Sequence, residues 1–100
     1  MADTLETPEN RLKRLHMRSW RRGTREMDLI LGPFAEAELA VMDADSLDAY
    51  ERLLEENDQD LYPWIRARLS GGTAGPQAHA AMLDRVAAHA LGRLREIRGA

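Results

Sequence analysis

The residues with the greatest capacity for chemistry stand close together. The stretch Arg18-Ser19-Trp20-Arg21-Arg22-Gly23-Thr24-Arg25-Glu26-Met27-Asp28 gathers arginines around one glycine and then turns at once to acid. A guanidinium is a planar fork of N–H donors that suits carboxylates and carbonyl oxygens, and a carboxylate only accepts. A glycine between them has no side chain to hold a second backbone away. This is chemistry of recognition, not of bond-making. For Arg22 and Glu26 two readings stand open. In one, Arg22 ends a helix and Glu26 begins the next, each matched to its helix dipole by about 0.3–1 kcal/mol, with an exposed salt bridge between them adding about 0.2–1 kcal/mol. In the other, Gly23 lets a partner's backbone come close while Arg22 and Glu26 flank the gap as donor and acceptor.

Bond-making chemistry finds little support. There is no cysteine, which excludes disulfides and thiolate metal sites and points away from an oxidising compartment. His16, His79 and His89 do not follow metal-ligand spacing, so no metal site is expected. Ser19, Ser46 and Ser70 have simpler roles on helices or at their ends than as nucleophiles. Gly71-Gly72-Thr73-Ala74-Gly75 follows no strand and matches no nucleotide-cradling motif, so no tightly bound cofactor is expected. No catalytic residue is assigned. A basic helix, a turn and a second helix outline a helix-turn-helix, but Glu26 and Asp28 would then meet phosphates, and Lys13 is the only lysine in a chain of net charge -3. Nucleic acid is therefore not expected as a partner.

The elements that must hold this stretch read as helices throughout. Thr7-Pro8 is an N-cap with proline at the first helical position. The first helix runs to about Arg21, with a thin apolar stripe of Leu12, Leu15 or His16, Ser19 and Trp20. Gly23 ends it in the left-handed conformation. Thr24 caps a second helix carrying Met27, Ile30, Leu31 and Phe34, with Glu38 and Val41 continuing the register. Gly32-Pro33 inside it predicts a kink or break near Leu29 to Gly32. Asp43 caps a third helix to about Glu55, burying Leu47, Tyr50, Leu53 and Leu54. Pro63 sits without loss only in a first turn, which places the cap of the fourth helix at Asp60, with Leu61, Trp64, Ile65 and Leu69 on its inner side. Ser70 to Gly75 reads as a flexible linker. Pro76 opens a last helix to about Arg98, with Leu83, Val86, Ala90, Leu94 and Ile97 in register. Nothing alternates long enough for a strand. The expected fold is all-α, a compact bundle of about five helices forming one domain over residues 1–100.

Charge is strongly asymmetric. Arg11 to Arg25 carries seven cations and no acid, whereas Glu36 to Asp60 carries ten acids against Arg52 alone. The two segments either attract each other within the fold or present the basic one to an acidic partner. The acidic start, with Asp3, Glu6 and Glu9, lacks the features of a secretion signal or a mitochondrial presequence, and no run reaches the ~18 apolar residues of a membrane span. A cytoplasmic setting is expected.

Arg22-Gly23-Thr24-Arg25-Glu26 is an R-G-x-x-E motif. Arg18-Ser19 precedes it and Asp28 follows. Leu29-Ile30-Leu31-Gly32-Pro33-Phe34, Tyr50-Glu51-Arg52-Leu53-Leu54-Glu55 and Asp58-Gln59-Asp60-Leu61-Tyr62-Pro63-Trp64 come in order behind it. The motif alone is weak. The whole series, spanning about Arg11 to Leu69, closely resembles the SdhE (Sdh5) family of bacterial FAD assembly factors and succinate dehydrogenase assembly factor 2. The last helix, about 76–98, matches in kind more than in sequence. The resemblance implies a small helical protein without catalytic activity, a monomer when free. It would bind the flavoprotein subunit of succinate dehydrogenase, and in some bacteria of fumarate reductase, and promote covalent attachment of FAD to a histidine there. The family motif carries over onto Arg22, Gly23 and Glu26. Asp28 neighbours it, and Arg18 and Arg21 complete the expected partner-binding set. Phe34 and Trp64 match family positions but read first as core. Pro63 stands where many members have asparagine. An antitoxin or a small basic-helix regulatory protein is the alternative reading.

Overall fold

The computed structural model describes residues 6–99, with side chains as far as Leu94. Asp3 and the side chain of Ile97, both used above, lie outside the described residues. Five α-helices are present among the described residues, and no strand. Each begins or ends for a local reason.

Helix α1, Pro8–Trp20, starts where Thr7 Oγ1 accepts from the Asn10 amide at 3.1 Å. Its stripe is as thin as expected, with Leu15 and Ser19 the fully buried residues. Ser19 Oγ donates back to the Leu15 carbonyl at 2.7 Å, which leaves it an acceptor for the Tyr50 hydroxyl at 2.6 Å. A polar residue is tolerated there because both of its needs are met.

The basic segment and the acidic one do meet. Arg11 pairs with Asp48 and Glu51 at 2.7 and 3.0 Å, and Arg14 with Glu6 and Glu51 at 2.8 and 2.9 Å. The pairs to Asp48 and Glu51 tie α1 to helix α3, Ala44–Leu54, while Arg14–Glu6 holds the residues just before α1. The Arg14 guanidinium, and then Arg11, hold the Glu51 carboxyl below its usual range against the opposing effect of burial. Helix α3 is capped as expected, Asp43 Oδ1 accepting from the Ser46 amide at 2.8 Å.

Helix α2, Arg25–Glu38, runs through Gly32-Pro33 without the break that was one of the two expected outcomes there. Two distant residues explain this. Pro33 has no N–H for the Leu29 carbonyl, and Arg93 Nη1 reaches that oxygen at 3.4 Å. Gly32 is the seat of the Trp20 indole, whose ring atoms crowd the place a Cβ would take. The indole, still 37% exposed, donates from Nε1 to Glu36 Oε2 at 3.0 Å. The apolar register fails at the end. Helix α2 stops at Glu38, a 3₁₀ turn covers Leu39–Val41, and Val41 is 75% exposed.

Helix α4, Asp58–Leu69, begins three residues earlier than expected, with Asn57 and not Asp60 at the cap. Pro63 therefore lies beyond the first turn. It faces solvent, where water can serve the carbonyl its ring leaves free. The glycine-rich linker is a built turn. Gly71 N–H donates to the Arg68 carbonyl and Gly72 N–H to the Ala67 carbonyl, the paired bonds of a Schellman motif. Arg68 then holds the Ala74 carbonyl at 3.0 Å and Asp84 at 2.6 Å. Pro76 opens a 3₁₀ turn, Gln77–His79, before helix α5, Ala80–Gly99.

Met27, Leu31, Phe34, Tyr50, Leu53, Leu61, Ile65, Leu83 and Val86 are fully buried in one core. Helix α1 packs along α2 and α4 along α5, while α2 and α3 also touch α5. Trp64 is half-buried against the core rather than within it, and Leu94 is 45% exposed. No described helix is long and apolar enough to cross a membrane.

Candidate partner-binding site

The turn from α1 to α2 lies beside the turn from α3 to α4, and arginine joins them. Arg22 Nε donates to Asp58 Oδ1 at 2.9 Å, Nη1 to the Leu54 carbonyl at 2.7 Å and Nη2 to the Glu56 carbonyl at 2.7 Å. Arg18 Nη2 adds a bond to Leu54 O at 3.2 Å. Helix C-terminal carbonyls carry partial negative charge and lack internal donors, so two guanidinium groups there are well placed. The backbone N–H of Arg22 donates to Asp28 Oδ1 at 2.7 Å, closing the turn from the other side.

The expected site residues thus fall into two groups. Arg22, with its side chain only 9% exposed, faces inward and does not stand across Gly23 from Glu26 as a free donor. Asp28 is half-buried and bound to the turn. Arg21, Gly23, Arg25 and Glu26 are exposed, and Arg21, Arg25 and Glu26 have no ion-pair partner among the described residues. Arg18 is shared, holding Leu54 while lining the surface.

Gly23 adopts φ +103°, and a Cβ there would meet nothing within 4 Å. The exposed Gly23-Thr24 backbone, here called the ridge, borders two hollows: Gly23 lines the first, and Thr24 lines both. The first is a shallow groove of about 600 Å³, with Arg18, Arg21 and Arg22 facing Glu55, Glu56 and Asp58. The second is a smaller hollow of about 290 Å³ lined by Thr24, Glu26, Asp58, Gln59, Tyr62 and Pro63. The cation Arg21 and the anion Glu26 therefore line different hollows beside one open backbone. Thr24 Oγ1 accepts from the Met27 amide at 3.3 Å and starts α2 immediately beyond the ridge.

A family sequence model described as Sdh5, flavinator of succinate dehydrogenase, matches residues 13–90. This chain belongs to the Sdh5 family. The match includes the ridge, both hollows and the turn that leads into α5. The chain is 33% identical over 75 residues to the FAD assembly factor SdhE of Aliivibrio fischeri, covering 75% of this chain and 84% of that protein. It is 40% identical over 60 residues to the FAD assembly factor SdhE of Pseudomonas aeruginosa, covering 60% and 70%. It is 40% identical over 63 residues to the mitochondrial succinate dehydrogenase assembly factor 2 of Mycosarcoma maydis, covering 63% of this chain but 26% of that longer protein. Against the mitochondrial relatives it matches, the chain spans between 17% and 45% of their length. No solved structure matches the chain.

Among the described residues no three His, Cys, Asp or Glu side chains group as a metal site. His79 Nε2 pairs with Glu56 Oε2 at 2.9 Å, and His89 packs edge-on against Phe34 at 5.7 Å. Asp58 stood out in the sequence only as the first residue of the Asp58-Gln59-Asp60-Leu61-Tyr62-Pro63-Trp64 series. Its role in seating Arg22 depends on a contact 36 positions away, which no local signal carries.

Proposed function

We propose that this Sdh5-family protein binds the flavoprotein subunit of succinate dehydrogenase, and a fumarate reductase subunit where one is present, and promotes covalent attachment of FAD to it. The observation that carries this reading is the open Gly23 backbone at the R-G-x-x-E motif, where a Cβ would meet nothing, with exposed Arg21 before it and exposed Glu26 after it. A partner's main chain can lie on the ridge without meeting a side chain. Arg22 shapes the ridge from beneath by locking the α1–α2 turn onto the end of α3.

The helper acts by differential affinity. Docking favours the arrangement of the immature subunit in which its target histidine meets the flavin ring, and so raises the population of that arrangement. The flavoprotein supplies the chemistry. FAD is not held tightly here, because the chain carries no nucleotide-cradling loop and the groove's three arginines already face Glu55, Glu56 and Asp58. The helper must also leave. A polar, open surface suits moderate affinity and release.

The test is deletion of the gene, followed by covalent flavin fluorescence of the flavoprotein subunit on a denaturing gel. Loss of that fluorescence, restored by the native gene, is expected. Unchanged fluorescence would leave the reading without support and favour an unrelated regulatory role.

A further inference from the structure

Beyond the ridge, the Glu26 hollow shares Tyr62 with a third concavity of about 430 Å³. This one is apolar. Leu29, Ile30, Leu69, Ala90 and Leu94 line it with Tyr62, where α2, α4 and α5 converge. Glu26, Leu29 and Ile30 are three and four residues apart and so share one face of α2. Leu29 is 49% exposed and Leu94 45% exposed, so an apolar surface begins where the motif's polar surface ends. Arg66 and Arg93 stand at its rim. Arg66 lies over the Tyr62 ring at 5.7 Å, Arg93 reaches the Leu29 carbonyl, and neither has a carboxylate partner among the described residues.

We infer that the docking surface continues from the Gly23 ridge past Tyr62 into this groove, which takes an apolar side chain of the same flavoprotein with a carboxylate close to it in that chain. The inference rests on the function proposed above. Two features choose this occupant. The groove is continuous with the ridge through a shared wall, and its rim holds positive charge that only an acidic neighbour would match. The ridge then fixes register, and the groove supplies the anchor that a polar surface lacks.

The experiment is calorimetric titration of the purified apo-flavoprotein subunit with the native chain, Leu29→Glu, Leu29→Met, Arg66→Glu and Gly23→Arg, with a thermal melt of each. Leu29→Glu and Arg66→Glu are expected to weaken binding by about tenfold or more. Leu29→Met, which keeps volume and apolarity, should bind as the native chain does. Native affinity in Leu29→Glu and Arg66→Glu, with binding lost in Gly23→Arg, would overturn the groove and leave the ridge standing. A lowered melting temperature in Leu29→Glu with native affinity would assign the groove to a segment of this chain and also overturn the inference. Native affinity in all variants would remove the ridge reading and the groove with it.

Discussion

Arg22 Nε and Asp58 Oδ1 meet at 2.9 Å across the junction of two helix–helix turns, with side chains only 9% and 13% exposed. The other oxygen of Asp58 is buried and has no hydrogen-bond partner in the structure, so this carboxylate depends on Arg22. The most cationic turn of the molecule is thus also one of its main fastenings.

Arg22→Ala should therefore destabilise the fold. It strands the Asp58 carboxylate and removes donors from the Leu54 and Glu56 carbonyls, and losing one member of a buried pair costs about 3–5 kcal/mol. A drop in thermal midpoint of roughly 10 °C or more is expected for a domain of this size. Arg22→Lys should rescue little, because an ammonium cannot span three acceptors held by a fork. A melt within a degree or two of native would contradict the fastening.

Glu26→Ala should behave in the opposite way. Glu26 is exposed in the first turn of α2 and its side chain holds no hydrogen bond or ion pair among the described residues, so only its match to the helix dipole is lost and stability should change by at most about 1 kcal/mol. Complex formation with the flavoprotein should be lost. A fall of many degrees would make Glu26 part of the fold.

Gly32→Ala should force Trp20 off its seat, since a Cβ there meets the indole ring. Overpacking of this kind costs about 1–3 kcal/mol. The indole should swing outward and lose its bond to Glu36. In a Trp64→Phe background, tryptophan emission should shift to longer wavelength. Unchanged emission would show that the helices separate instead.

Stability should fall at both ends of the pH scale for different reasons. Glu51 is held below its usual value of 4.5, first by Arg14, so the folded chain binds this proton less readily than the unfolded chain. Its stabilisation is complete above 4.5 and lost as pH falls through the folded value. Burial pushes Tyr50 from 10.0 up to about 12, so its contribution is complete below 10 and lost as pH rises towards 12. That loss is on the order of 2 kcal/mol. Thermal melts across pH should show both slopes, with Glu51→Gln flattening the acid limb and Tyr50→Phe the alkaline one.

Much of this was legible in the sequence because it is local. Thr7, Thr24 and Asp43 cap as their side chains dictate; Gly23 is left-handed as expected, but α1 has already ended at Trp20, with Arg21 outside helical geometry at the cap. Local rules failed where distant residues changed the balance. A glycine and a proline suggested a kink or break in α2, yet the helix is unbroken, with Trp20 filling the space at Gly32 and Arg93 serving the carbonyl freed by Pro33. Pro63 pushed the expected start of α4 too late, because an exposed proline costs less than the general rule assumes. Within the site, the exposure of Gly23 follows from its turn. The inward aim of Arg22 depends on the end of α3, 32 positions away, and could not be read along the chain.

The central claim is that another protein's main chain lies on the Gly23 ridge, and bulk at that position tests it most directly. Any side chain at φ +103° carries backbone strain of about 1–2 kcal/mol, so Gly23→Ala controls for strain while Gly23→Arg adds bulk above the ridge. The measurement is covalent flavin fluorescence of the flavoprotein subunit in strains carrying each variant as the sole copy, with the amount of folded variant matched. The account predicts fluorescence with Gly23→Ala and its loss with Gly23→Arg; native fluorescence with Gly23→Arg would contradict it.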